Sequence, residues 1–120
     1  MKRILAIVCC VLMLVPCQAK KKEKVKPLYV WSDYSNAVYN YIKNSDEKSE
    51  TQLIAAYEAI IKNQSESSRG VVPPGIYAEY GYLLLKENKI DEGKAMLKKE
   101  IETYPESEVF VSRILKITKK

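Results

Sequence analysis

The chain reads as an all-α protein of about five helices, and three observations carry that reading. Apolar residues from Tyr34 to Ile117 recur at intervals of three and four, the spacing of buried helix faces. Nothing alternates with the period of two that a half-buried strand needs, and Val71-Val72 is too short to count as one. Between Tyr77 and Pro105 lies a helix-turn-helix pattern. There the small Gly81 sits among Tyr77, Tyr80 and Leu84, Gly93 and Leu97 follow on a second helix, and Pro105 ends it.

The first element is a leader. Met1-Lys2-Arg3 is a short basic start, Ile4 to Val15 is unbroken apolar sequence, and Pro16 stops it. This is the layout of an export signal, too short to remain as a membrane-spanning helix. A buried first helix would need a polar face, and the run has none. Two processing points fit. Leu14-Val15-Pro16-Cys17 resembles a bacterial lipobox, giving a signal peptide over residues 1–16, cleavage before Cys17 and a lipid on that cysteine. Pro16 departs from it, since Gly, Ala or Ser is usual there. Cys17-Gln18-Ala19 equally offers a small-residue site with cleavage after Ala19.

Residues 17–27 then form a tether. Lys20, Lys21, Lys22, Lys24 and Lys26 have only Glu23 among them. Such a run reads as a solvated, flexible spacer; the alternative is an approach to anionic lipid headgroups, at about 1 kcal/mol or less per lysine. The formal charge of +5 is misleading for the body. Residues 27–112 hold nine Lys or Arg against fourteen Asp or Glu, and a second basic cluster, Arg113, Lys116, Lys119 and Lys120, closes the chain. With no basic face carrying stacking aromatics, nucleic-acid binding has little support.

Cysteine and histidine usage narrows the chemistry. Cys9, Cys10 and Cys17 all lie in the leader region, so the mature chain has neither a disulfide nor a thiol nucleophile. Histidine is absent from the whole chain. Zinc sites and Ser-His-Asp triads lose their ligands and bases, and no cofactor or metal is expected.

The helical domain spans 28–120. Leu28-Tyr29-Val30-Trp31 is a dense apolar entry, and Ser32 or Asp33 can cap the first helix. On that helix Tyr34, Ala37, Val38, Tyr41 and Ile42 form the inward face, and it ends near Asn44. Ser45 to Lys48 reads as a turn, with Ser49 and Gln52 as the capping box of the second helix. Leu53, Ala56, Tyr57, Ile60 and Ile61 are its buried side. A polar loop from Ser65 leads to Val71-Val72-Pro73-Pro74-Gly75, with Pro74 acceptable in the first turn of the third helix.

The third and fourth helices match the tetratricopeptide pattern W-x₂-L-G-x₂-Y…A-x₃-F…P at Tyr77, Tyr80-Gly81, Leu84, Gly93, Leu97 and Pro105. Asn88 is the left-handed stop between them, and Ile90, Leu97 and Ile101 face back toward the third helix. Gly93 replaces the pattern's alanine, which costs about 1 kcal/mol of helix propensity and points to backbone contact. Glu100 replaces a small apolar residue, so looser packing onto the next element is expected. A fifth helix over Glu106 to Lys120 covers the end of the hairpin with Phe110, Ile114 and Ile117.

Longer stretches carry a family resemblance. Pro27-Leu28-Tyr29-x-Trp31-x-x-Tyr34, Val72-Pro73-Pro74-Gly75-Ile76-Tyr77-Ala78-Glu79-x-Gly81-Tyr82-Leu83-Leu84-Leu85, Glu92-Gly93, Leu97-x-Lys99-Glu100 and Tyr104-Pro105-Glu106-Ser107 together span the mature chain. They resemble bacterial lipoproteins with a tetratricopeptide-like domain, commonly encoded beside a curli-secretion-channel-like lipoprotein and a second small lipoprotein. Within that family Gly93 and Glu100 are ordinary. The resemblance carries no established catalysis. It implies an outer-membrane-associated, periplasm-facing accessory of an envelope assembly, held by a lipid on Cys17, with the channel-like lipoprotein as a possible partner.

Four residues are candidates for partner binding. Tyr82 and Lys86 lie one turn apart on the third-helix face that lines the ligand groove in such repeats, and an aromatic beside a cation suits an extended peptide. Ordinary surface decoration accounts for them equally simply. Tyr29 and Trp31 can form a docking patch, or else pin the start of the chain to the helices. Glu79, Glu87, Asp91 and Glu92 fit helix ends and solvated faces better than acid/base pairs. The expected function is a non-catalytic interaction scaffold, with a soluble periplasmic adaptor as one alternative. A cell-wall or glycan hydrolase is another, and it needs two carboxylates about 5 to 10 Å apart in one cleft.

Overall fold

The computed structural model describes residues 20–118. The leader at 1–16, Cys17, the alternative cleavage point after Ala19, and Lys119 and Lys120 lie outside the described residues. Lys20 to Leu28 are exposed and form neither helix nor strand. The chain is first tied to the body at Pro27, whose carbonyl accepts a 2.8 Å hydrogen bond from the Ser68 amide. Among the described residues five α-helices follow: α1 Tyr34–Asn44, α2 Glu47–Asn63, α3 Ile76–Lys86, α4 Ile90–Thr103 and α5 Glu108–Ile117. Short 3₁₀ turns occupy Gln64–Glu66 and Pro105–Ser107. The helices pack in pairs, α1 on α2 and α3 on α4, and α5 closes against α4.

The first two helices begin differently from expectation. Neither Ser32 nor Asp33 caps the backbone of α1; the Asp33 carboxylate accepts from the Asn36 side chain at 2.6 Å instead. The cap of α2 is Asp46, three residues before Ser49. Asp46 Oδ1 accepts the Ser49 amide at 2.8 Å, and Ser49 Oγ accepts the Asp46 amide at 3.2 Å. A carboxylate outcompetes a hydroxyl as acceptor for a helix N-terminus, so Ser49 becomes the buried third residue of the box. The hydrogen bond with the Ser49 hydroxyl holds the Asp46 carboxyl below its usual range.

Packing separates the apolar positions of α1. Ala37 is buried and Tyr34, Val38 and Tyr41 are half-buried, but Ile42 is exposed. At 100° per residue Ile42 lies about 140° round the helix from Ala37, outside the stripe the core can cover. On α2, Leu53, Ala56, Tyr57 and Ile60 are buried as expected, and Ile61 lies at the margin.

The α3–α4 hairpin is the centre of the molecule. Gly81 and Gly93 face each other so closely that a Cβ on either would lie 2.8 Å from the other's carbonyl oxygen. Asn88, at φ 63°, turns the chain: its amide bonds Leu85 O, and the next amide, Lys89, bonds Leu84 O, the paired bonds of a Schellman cap. Helix α3 is buried on two sides. Tyr77, Tyr80, Leu83 and Leu84 join a cluster with Ala37, Leu53, Tyr57 and Ile60, while Ala78 and Leu85 join Leu97, Val111 and Ile114. Pro74 stays outside α3, because Gly75 at φ 92° swings the chain into Ile76.

Glu100 overturns the expectation of loose packing. It is 1% exposed, and its Oε1 accepts the Gly75 amide at 2.8 Å and the Ser107 hydroxyl at 3.3 Å. One carboxylate thus joins the entry to α3, helix α4 and the turn before α5. Tyr104 adds a second tie, donating to Val72 O at 2.7 Å.

Helix α5 is also rotated from its predicted face. Val111 and Ile114 are buried and Leu115 packs beside them, whereas Phe110 is 58% and Ile117 69% exposed. The helix also starts later than its sequence suggests, because Pro105–Ser107 form a 3₁₀ turn, and it packs through Val111 and Ile114 on Ala78, Leu85 and Leu97.

Candidate functional site

Two hydrogen bonds fix how α1 lies on α3. The Tyr34 hydroxyl donates to Glu79 Oε2 at 2.6 Å, and the Lys86 ammonium donates to the Tyr41 hydroxyl at 3.3 Å. Both pairs are separated by 45 positions, so the helices run parallel and in register. Tyr34 and Tyr41, like Glu79 and Lys86, are seven residues apart, which puts each pair on one helix stripe. Between the two helices opens a chamber of about 310 Å³. Its walls include Tyr41, Ile42, Tyr82 and Lys86, and Leu53 and Tyr57 of α2 form its floor.

A second chamber, about 280 Å³, lies between α3 and α5 and is lined by Ala78, Glu79, Tyr82, Phe110, Ile114 and Ile117. Glu79 and Tyr82 line both chambers, which open on either side of that pair and together make a divided groove across the α1, α3 and α5 side. The rotation of α5 therefore has a consequence. Phe110 and Ile117, expected to seal the hairpin, build the far wall of this groove.

The groove is stiffened by tyrosines. Tyr57 donates to the same Glu79 Oε2 at 3.1 Å, and Tyr80 donates to Glu58 Oε1 at 3.1 Å. Ring centroids step from Trp31 to Tyr34 to Tyr57 to Tyr80 at 5.7, 5.9 and 5.5 Å. Burial, then the bond to Glu79 and its charge, raise the Tyr34 hydroxyl well above the ordinary phenol range. Burial also leads for Tyr57, with the Glu79 charge and bond adding to it. Tyr80 is pushed up to about 12 by burial and by its bond to Glu58. These phenols stay protonated, and they stay donors. Lys86 is held above its usual range, first by its bond to Tyr41, and its ammonium lies 6.0 Å from that ring's centroid.

Of the four partner-binding candidates, Tyr82 and Lys86 stand together on the groove wall, and Tyr82 is 43% exposed. Trp31 lies one step outside, its ring tilted against Tyr34 and exposed at its rim. Tyr29 meets Trp31 edge-on at 6.4 Å and is half-buried under the Arg69 guanidinium at 5.6 Å, where it helps pin the entry segment. Cys17 lies outside the described residues. Tyr34, Tyr41, Glu79, Phe110 and Ile117 are groove residues that the helical repeat alone did not single out. The seven-residue spacing of 34/41 and of 79/86 was the available signal for the first three.

The carboxylates do not converge in the groove. Glu79 is the one acidic residue lining either chamber. Glu87 lies outside both chambers, where it pairs with Lys89 at 2.8 Å and shares a hydrogen bond with Glu50, and Asp91 and Glu92 sit exposed in the first turn of α4. Among the described residues no helix is long and apolar enough to cross a membrane, and no group of His, Cys, Asp and Glu is placed to hold a metal ion.

No curated protein and no solved structure shows significant similarity to the chain. A family model does match, and it covers the entry segment and all but the last turn of α5. Across residues 28–114 the chain belongs to the family defined by the domain of unknown function DUF4810.

Proposed function

We propose that this protein is a non-catalytic interaction module: a lipoprotein anchored through Cys17 to the inner leaflet of a bacterial outer membrane, facing the periplasm and scaffolding an envelope complex. The observation that carries the reading is the open groove of α1, α3 and α5, with Tyr82 and Lys86 on its wall and apolar Phe110 and Ile117 left uncovered. A monomer gains nothing by exposing such residues side by side, whereas a binding face does. A curli-secretion-channel-like lipoprotein is the partner that the sequence resemblance suggests. The single groove carboxylate supports binding over hydrolysis, since glycosidase chemistry needs a pair.

A photo-crosslinking residue placed at Tyr82 in the native envelope tests the groove, with Lys98, exposed on α4, as the control position. The expected result is a protein adduct from position 82 and none from 98. Absence of any protein adduct at 82 would refute the scaffold reading. Cys17→Ala tests the anchor separately: membrane fractionation and lipid labelling should both be lost. If both persist unchanged, cleavage follows Ala19 and the protein is a soluble periplasmic adaptor.

A further inference from the structure

Glu79 is the acidic residue of the groove, and its two oxygens are used differently. Its Oε2 takes both phenol hydrogen bonds, from Tyr34 and Tyr57, while among the described residues no hydrogen bond or ion pair reaches Oε1. The side chain is exposed and sits where the two chambers meet. Tyr34, Tyr57 and Tyr82 line the same chamber. A carboxylate oxygen without a partner, among aromatic rings, suits a guanidinium or ammonium group. The carboxylate gives a charge-assisted hydrogen bond and the ring faces attract the cation. The body around it has the complementary sign, with nine basic against fourteen acidic residues over 27–112.

The groove is also polar along its length. Lys86 follows Glu79 by seven residues on α3, about 10 Å along the axis at 1.5 Å per residue. An extended peptide covers that distance in about three residues. Across the Glu79–Tyr82 pair from the first chamber, the α3–α5 chamber is almost wholly apolar.

We infer that the occupant is an extended segment of a partner protein bearing, in order, an apolar side chain for the Phe110–Ile117 chamber, an arginine or lysine for Glu79 Oε1, and an acidic side chain for Lys86. Arginine is the better fit, because its planar fork can engage the carboxylate while stacking on a tyrosine. The inference rests on the groove being the partner-binding face, and it supplies the chemistry of what binds.

The test uses the purified protein and a fluorescent pool of hexapeptides, apolar-x-Arg-x-x-Asp, with x randomised among small polar residues. A matched pool replaces arginine by citrulline, which keeps the shape and removes the charge. Fluorescence anisotropy should show the arginine pool binding about tenfold more tightly than the citrulline pool, the worth of one partly exposed charge-assisted hydrogen bond. Glu79→Gln, which keeps an oxygen to accept from the phenols, should erase that difference while leaving the thermal transition in place. The ligand-side swap keeps the test valid even if the variant folds poorly. Equal binding of the two pools, absence of binding by either, or persistence of the arginine preference in Glu79→Gln would overturn the inference. The position-82 crosslink judges the groove independently: an adduct there alongside equal pools leaves the binding face standing and removes only the cation.

Discussion

Replacing Gly93 by alanine sets two effects of opposite sign against each other. Alanine is the better helix former by about 1 kcal/mol, so at an exposed helical position the change would stabilise. At Gly93 the new Cβ would lie 2.7 Å from Leu85 Cγ and 2.8 Å from Gly81 O. The first is the branch point of a buried side chain and the second is backbone, so neither can swing aside. Ordinary contact requires α3 and α4 to separate by roughly half an ångström, and this is the most extensively packed helix pair in the protein. Overpacking of this kind costs about 1–3 kcal/mol, and rigid partners on both sides place it at the upper end. Setting about 3 against about 1 leaves a net loss of about 2 kcal/mol. For a domain of this size that lowers Tm by about 8–16 °C. Thermal unfolding followed by circular dichroism at 222 nm measures it. Ala95→Gly, on the exposed side of α4, calibrates the propensity term alone at about 1 kcal/mol. If Gly93→Ala melts at or above the parent temperature, the helices do not touch at their backbones and the reasoning fails.

Three further outcomes follow from the same geometry. Glu100→Ala strands the half-buried Gly75 amide and Ser107 hydroxyl and should destabilise by about 2 kcal/mol in urea titration, while Glu100→Gln, keeping an acceptor, should lose less than half of that. Val111→Ala should cost about 2 kcal/mol and Phe110→Ala under about 0.5; the reverse order would mean that α5 sits in the register first read from its sequence. Stability should fall as pH rises above 10, because unfolded phenols ionise from their ordinary value of 10.0 while Tyr34 and Tyr57 keep their protons. The folded chain then binds more protons than the unfolded one, so the contribution is complete below pH 10 and lost above it. Melts between about pH 9 and 12 should show that slope, and the double variant Tyr34→Phe/Tyr57→Phe should reduce it, leaving the share carried by Tyr77, Tyr80 and Tyr104.

Where one helix face decided burial, the sequence was enough. Leu53, Ala56, Tyr57 and Ile60 on α2, and Tyr77, Tyr80, Gly81 and Leu84 on α3, follow directly from periodicity. Asn88 as a left-handed stop and Gly93 as a backbone contact followed from the conformational needs of single residues. What escaped depended on information that no single helix holds. The cap of α2 moved to Asp46 because two acceptors competed for one N-terminus. The face of α5 is set by the surface that Ala78, Leu85 and Leu97 offer to Val111 and Ile114, which the spacing within α5 does not contain. Glu100 looked like a flaw in the repeat because its two partners, Gly75 and Ser107, come from either side of the hairpin. The groove was half legible: Tyr82 and Lys86 came from the repeat pattern, while Glu79 needed Tyr34 and Tyr57, 45 and 22 positions away.

That distribution bears on how the groove can work. Binding an extended peptide requires ordering it, and any wall that must also be ordered subtracts further from affinity. Tyrosine has few rotatable bonds, so a wall built from Tyr34, Tyr41 and Tyr57 loses little entropy when it is fixed. The two phenol bonds to Glu79 Oε2 then hold that carboxylate in place without neutralising it, which an ion pair would do. The residues left free, Tyr82, Phe110 and Ile117, project from helices already locked by Gly81, Gly93 and Glu100. The oddities of the repeat and the openness of the groove are therefore linked. Close backbone packing and a buried carboxylate carry the stability that Phe110 and Ile117 would have supplied as a cap, and this leaves them available to a partner.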